Sequence, residues 1–64
     1  MDNEYSHSAV WSVEDDAWVA TVKEFPSLSW IDITKIEASQ GLIVLVDNVV
    51  GDLRANGEPV PLPQ

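Results

Sequence analysis

The side chains in this chain best equipped for chemistry are acidic. Glu14, Asp15 and Asp16 stand side by side, Glu24 follows a short apolar run, and 11 Asp and Glu face only 3 Lys and Arg. Three adjacent acids could ligate a hard cation, but without an ordered loop supplying further oxygens such a run reads as a solvated turn. His7 is the only histidine and cysteine is absent, so neither a nucleophilic dyad nor a His-rich metal site can form within one subunit. No cofactor or metal is expected. A formal charge of -8 repels a phosphate backbone, which argues against direct nucleic-acid binding, and it speeds association with a basic protein. The bland reading of the same charge is solubility. Among the three tryptophans, Trp30 follows a proline corner, where an indole at a sheet edge serves either the core or an interface.

Such groups need a scaffold, and 64 residues allow a single domain over 1–64, near the lower limit for one apolar core. Without disulfides, self-association is the remaining common way to bury more surface, and 45% hydrophobic residues are ample for it; a dimer or tetramer is expected. Met1 to Ser8 lacks the basic and apolar regions of a signal peptide, and Leu42 to Val46 is too short to span a bilayer. A cytoplasmic protein with no membrane contact is expected.

Met1 to Glu4 is polar and expected to fray. From Tyr5 to Val13 the apolar residues Tyr5, Ala9, Trp11 and Val13 alternate with serines, the period of a half-buried strand; Val10 breaks the alternation. A second β-prone run, Trp18 to Val22, follows the acidic break. A loop over Glu14 to Ala17 would pair Val13 with Trp18, Trp11 with Ala20 and Ala9 with Val22, all apolar on one face, and would set His7 opposite Glu24. In that register Trp11 and Trp18 belong to the core. Pro26 should then turn the chain, and a third strand is expected over about Leu28 to Ile33.

Thr34 and Glu37 have the spacing of a capping box, which predicts a helix start. At about 100° per residue, Ala38, Leu42, Ile43, Leu45, Val46, Val49, Val50 and Leu53 share an arc of roughly 160°, with Val44 on the wrong side. Leu42 to Val46 could instead be a buried strand, and Gly41 is a poor helix residue, but the helical period persists to Asn56-Gly57, a C-cap signature. So wide an arc suggests that part of it faces a second subunit. Beyond it, Pro59, Pro61 and Pro63 restrict the tail to a short edge strand or an extended segment. The expected class is α+β: a three-stranded antiparallel meander, one long helix and a short C-terminal strand, in β-β-β-α-β order.

Several segments together resemble the HicB-like antitoxins of type II toxin-antitoxin systems in bacteria. They are Glu14-Asp15-Asp16-Ala17-Trp18, Val19-Ala20-Thr21-Val22, the corner Glu24-Phe25-Pro26-Ser27-Leu28-Ser29-Trp30, the helix start Thr34 to Ala38, and Asn56-Gly57-Glu58-Pro59-Val60-Pro61. The resemblance implies a truncated ribonuclease-H-like core, assembly into oligomers, and neutralisation of a small basic HicA-like toxin, an mRNA-cleaving ribonuclease, by covering its active site. Many members continue into a ribbon-helix-helix or helix-turn-helix domain; none is expected within 1–64. Ala17 and Ser27 stand where the family commonly has glycine, so neither position is expected to need a positive φ.

Catalysis by this chain is not expected, because ribonuclease-H chemistry needs several carboxylates converging on two divalent cations and the first strand carries no acid. The partner-binding residues expected from these readings are Glu14, Asp15, Asp16, Glu24 and Trp30. A stand-alone oligomeric interaction module without a toxin partner is the alternative.

Overall fold

The computed structural model describes residues 5–63. The expected fraying of Met1 to Glu4 lies outside them. Three strands, β1 (His7–Ser12), β2 (Ala17–Val22) and β3 (Ser29–Asp32), form one antiparallel sheet in the order β1-β2-β3, followed by a helix, α1 (Lys35–Ala55). This is the α+β meander and long helix expected from the sequence, with α1 packed on one face of the sheet and touching all three strands. Its 21 residues make a rod of about 32 Å, longer than the strands. The molecule is correspondingly elongated, 39 × 18 × 17 Å.

Both helix ends form where local chemistry stops them. Thr34 is the N-cap in an extended conformation, and its hydroxyl accepts from the Glu37 N–H at 3.1 Å. The Glu37 carboxylate in turn accepts a hydrogen bond from the Thr34 hydroxyl at 3.0 Å, a variant of the reciprocal box in which the acid returns to the side chain. At the other end the Glu58 N–H reaches the Leu53 carbonyl at 2.8 Å and the Gly57 N–H reaches the Arg54 carbonyl at 3.2 Å. Gly57 has a φ of 70°, so it makes the left-handed step of a Schellman motif without a Cβ penalty.

The core is small: Ala20, Val22, Phe25, Ala38, Leu42 and Val46 are buried together. Leu45, Val49, Val50 and Leu53 pack against them partly buried, as the wide apolar arc requires, while Val44 is 59% exposed. Tyr5 and Leu28 also pack against this core, partly buried. The Tyr5 and Phe25 rings meet edge to face at 5.1 Å.

Four expectations are corrected. The strand pairing is His7↔Val22, Ala9↔Ala20, Trp11↔Trp18 and Ser12↔Ala17, a shift of two residues from the expected register. Because the side-chain period is two, this shift keeps the same set inward, and the apolar pattern could not distinguish the two registers. The turn decides. Asp16 has a φ of 50°, a left-handed conformation that Asp tolerates, and the Ser12 hydroxyl accepts from the Asp15 N–H at 3.3 Å while donating to Oδ2 of Asp15 at 3.0 Å. The loop therefore closes over Val13 to Asp16, leaving Val13 83% exposed and Trp11 48% exposed.

Trp11 is thus not a core residue; it packs edge to face on half-buried Trp18, with centroids 5.8 Å apart. His7 faces Val22 rather than Glu24. Finally, no C-terminal strand forms among the described residues: Glu58 to Pro63 carry no regular secondary structure. Proline at alternate positions removes the donors that a strand would present along one edge. The tail is held instead by a hydrogen bond from the Tyr5 hydroxyl to the Pro61 carbonyl, 2.7 Å.

Candidate functional site

At the loop end of the sheet, Glu14, Asp15 and Asp16 are exposed on the β1–β2 turn. Asp15 helps to tie the turn through Ser12, so the acids sit on an ordered loop. Among the described residues no group of three or more acidic, His or Cys side chains is placed to hold a metal ion. Recognition by charge is the chemistry these positions can perform.

Glu24, expected beside them, lies elsewhere in both place and role. It is buried, 9% exposed, and its two oxygens accept from the Ser6 N–H at 2.9 Å and the Ser6 hydroxyl at 3.1 Å. Together with the bond from the Lys23 N–H to the Ser6 carbonyl, 3.1 Å, it extends the β1–β2 pairing past the end of the ladder. An inward carboxylate occupied by backbone and hydroxyl donors is structural. It is not presented to a partner.

Trp30 is at the surface. Its strand position opposite Ala20 puts it on the helix side of the sheet, at the β3 edge, where it is 39% exposed. A groove of about 360 Å³ opens there, lined by Trp30, Asp32, Glu37, Gln40, Gly41 and Val44. Gly41 is the reason the indole fits: a Cβ at that position would collide with the Trp30 ring at Nε1, Cε2 and Cδ1. The poor helix former is therefore a seat for the tryptophan, which explains why the helix tolerates it.

Two carboxylates flank this aromatic wall. Asp32, half-buried, accepts from the Ile33 N–H at 2.8 Å through Oδ1, and Glu37 is exposed on the first turn of α1. Asp32 pairs with Trp18, two residues from Asp16, so groove and acidic turn lie toward the same end of the sheet. An indole beside two acids suits a cationic side chain, above all a guanidinium, which can stack on the ring and pair with a carboxylate. The neighbouring Trp18 already holds a cation of its own, with Lys35 Nζ 5.7 Å from the ring centroid.

The structure thus brings Trp30 together with Asp32 and Glu37, places the turn acids at the same end, and removes Glu24 from the surface. Asp32, Gln40, Gly41 and Val44 were not singled out for binding by the sequence, and Glu37 only as a cap. The available signal was the glycine inside a helical period, which marks close approach of a bulky neighbour. Comparisons of the chain with protein-family models, with curated proteins and with solved structures give no match.

Proposed function

We propose that this chain is an antitoxin-like, non-catalytic binding module of the cytoplasm, which neutralises a small basic, mRNA-cleaving HicA-like toxin by direct contact. The observation that carries the reading is an exposed acidic turn toward the same end of the sheet as the acid-flanked Trp30 groove, in a chain of net charge -8. The resemblance of the segments quoted above supplies the class of partner. Glu14, Asp15 and Asp16 attract the basic surface, and Trp30 with Asp32 and Glu37 receives one of its cations. Neither part asks for a reaction at this chain; a bound partner has its active site covered.

Titration calorimetry with a purified basic HicA-like protein tests this. Trp30→Ala is expected to weaken binding by about thirtyfold, the size of an interface anchor. Glu14→Lys is expected to weaken it by roughly three- to tenfold at low salt, with the difference shrinking as salt is added. Failure to form a complex at low salt, or unchanged affinity in both variants with the fold intact by circular dichroism, overturns the proposal.

A second reading, a stand-alone oligomeric interaction module, draws on a different observation. Val10 and Ile31 are 60% and 53% exposed on the sheet face away from α1, where an acidic surface plays no part. A homo-oligomer that binds no basic partner would favour it.

A further inference from the structure

In the sheet order β1-β2-β3, β3 pairs with β2 on one side and presents its other side as an edge. Among the described residues no further backbone hydrogen bond reaches Ser29–Asp32. Alternate N–H and C=O groups of this strand therefore point outward in the plane of the sheet. Its four residues include no Lys or Pro to discourage pairing, and Trp30 and Ile31 are 39% and 53% exposed.

The Trp30 groove runs along this edge. Its strand wall is Trp30 and Asp32, and its helix wall is Glu37, Gln40, Gly41 and Val44, which share one side of α1 by their spacing of three and four. Both walls keep the same order. Asp32 leads through Ile33 and Thr34 into the first turn of α1, where Glu37 lies; Trp30 rests on Gly41, and Val44 follows about one turn later. The groove is thus acidic at one end and apolar at the other.

We propose that β3 accepts an extended basic segment of a partner as an added antiparallel strand, laid in the groove between β3 and α1. The inference rests on the cation-receiving role of the groove proposed above and adds the conformation and sequence order of what enters it. Backbone pairing with the edge holds such a segment, and the pockets for alternate side chains choose it. In an antiparallel pair, opposed residues point to the same face. Residues opposite Asp32 and Trp30 enter the groove, and the one between them lies across from Ile31 on the other face. Asp32 and Trp30 are about 6.6 Å apart along the strand, the repeat of alternate side chains on the incoming one.

The first position takes a cation. Oδ1 of Asp32 accepts from the Ile33 N–H and Oε1 of Glu37 from the Thr34 hydroxyl, so both carboxylates are oriented before a guanidinium arrives beside the indole. The second position takes an aliphatic side chain against the exposed part of Trp30 and against Val44, 59% exposed. Ile31 favours a β-branched residue across from it. From its amino end the segment is therefore basic, β-branched, aliphatic. A second copy of β3, reading Ser-Trp-Ile-Asp, brings an acid instead of a cation. The chain's own tail is tied to Tyr5 ahead of the opposite edge strand, β1, and its prolines lack donors.

Nuclear magnetic resonance of the isotope-labelled full chain, titrated with acetyl-Thr-Arg-Val-Leu-Thr amide, tests the proposal without a toxin. Saturable shifts and slowed hydrogen exchange are expected at the Ser29 to Asp32 amides, with the Val10 amide of β1 unchanged. Reversing the core to Leu-Val-Arg should weaken binding by about tenfold, and Asp32→Asn should weaken the original peptide by a similar factor. N-methylating the peptide one residue at a time should weaken binding at alternate positions only, because alternate N–H groups face β3. Absence of binding at millimolar peptide, or an N-methyl series without alternation, overturns the proposal. So does protection of β3 in the chain alone that grows with its concentration, which assigns the edge to a second copy. A HicA-like protein that binds while the peptide leaves β3 unaltered removes this inference and leaves the antitoxin reading standing; peptide binding without a toxin complex does the reverse.

Discussion

The inner face of the sheet carries Ala20, fully covered by α1, with Val22 at its edge and Trp30 seated on a helical glycine. The outer face of the same strands carries Val10, Val19 and Ile31 in a row that the described chain leaves partly open. Both faces exclude charge at their centres, yet only one is closed by the fold. A small α+β unit with a single helix can bury one side of its sheet, and the other must be polar enough to tolerate water or be matched to something else. Here its central row is uncharged and open at Val10 and Ile31. Of the described acids, Glu14, Asp15 and Asp16 lie on the β1–β2 turn, Asp32 and Glu37 beside Trp30, and Asp47 and Asp52 on the exposed side of α1.

Substitutions on the two faces can sharpen this contrast, and the largest effect belongs to the closed one. Leu42 is 0% exposed, so Leu42→Ala is expected to cost about 2 to 5 kcal/mol, enough to unfold much of a marginal domain; urea denaturation measures it. Next comes the helix seat. Gly→Ala inside a helix ordinarily adds about 1 kcal/mol of stability, as expected for Gly51→Ala, where a Cβ meets nothing within 4 Å. At Gly41 the new methyl strikes the Trp30 indole, and overpacking of about 1 to 3 kcal/mol outweighs the gain. Gly41→Ala should therefore be the less stable of the two, with altered tryptophan fluorescence. An equal gain at both positions would mean that the indole does not rest on Gly41.

The smallest effect is expected on the open face. Val10→Thr, at a site 60% exposed, should change the stability of the dilute chain by less than about 0.5 kcal/mol. A loss as large as that of a core truncation would show that the face is already buried in the protomer.

Much of this architecture was legible because it is written in local chemistry. The Thr34 cap, the Gly57 stop and the helical period between them are short-range features, and they define α1. Alternation placed the first strand, a β-prone run the second and the Pro26 corner the third, and the pairing of apolar residues put Ala9, Trp18, Ala20 and Val22 on the inward face. The two-residue register shift was not legible, because both pairings bury the same set and the choice rests on Asp16 adopting a positive φ. The missing fourth strand likewise turned on whether a proline-rich tail found a ladder, which its composition alone left open.

For the candidate site, residue type pointed to an exposed turn for Glu14, Asp15 and Asp16, since acids in turns rarely bury completely, whereas Trp30, open between core and interface in the sequence, is 39% exposed. Residue type misplaced Glu24, whose surroundings depend on Ser6 coming alongside from a distant part of the chain. The sequence by itself determined the three-stranded meander, the helix and the excess of negative charge, consequences of periodicity, capping and composition. Tertiary structure alone decided which acid is consumed inside, which glycine holds the tryptophan and which face of the sheet remains open. Those outcomes depend on contacts between residues far apart in the chain, which local patterns do not fix.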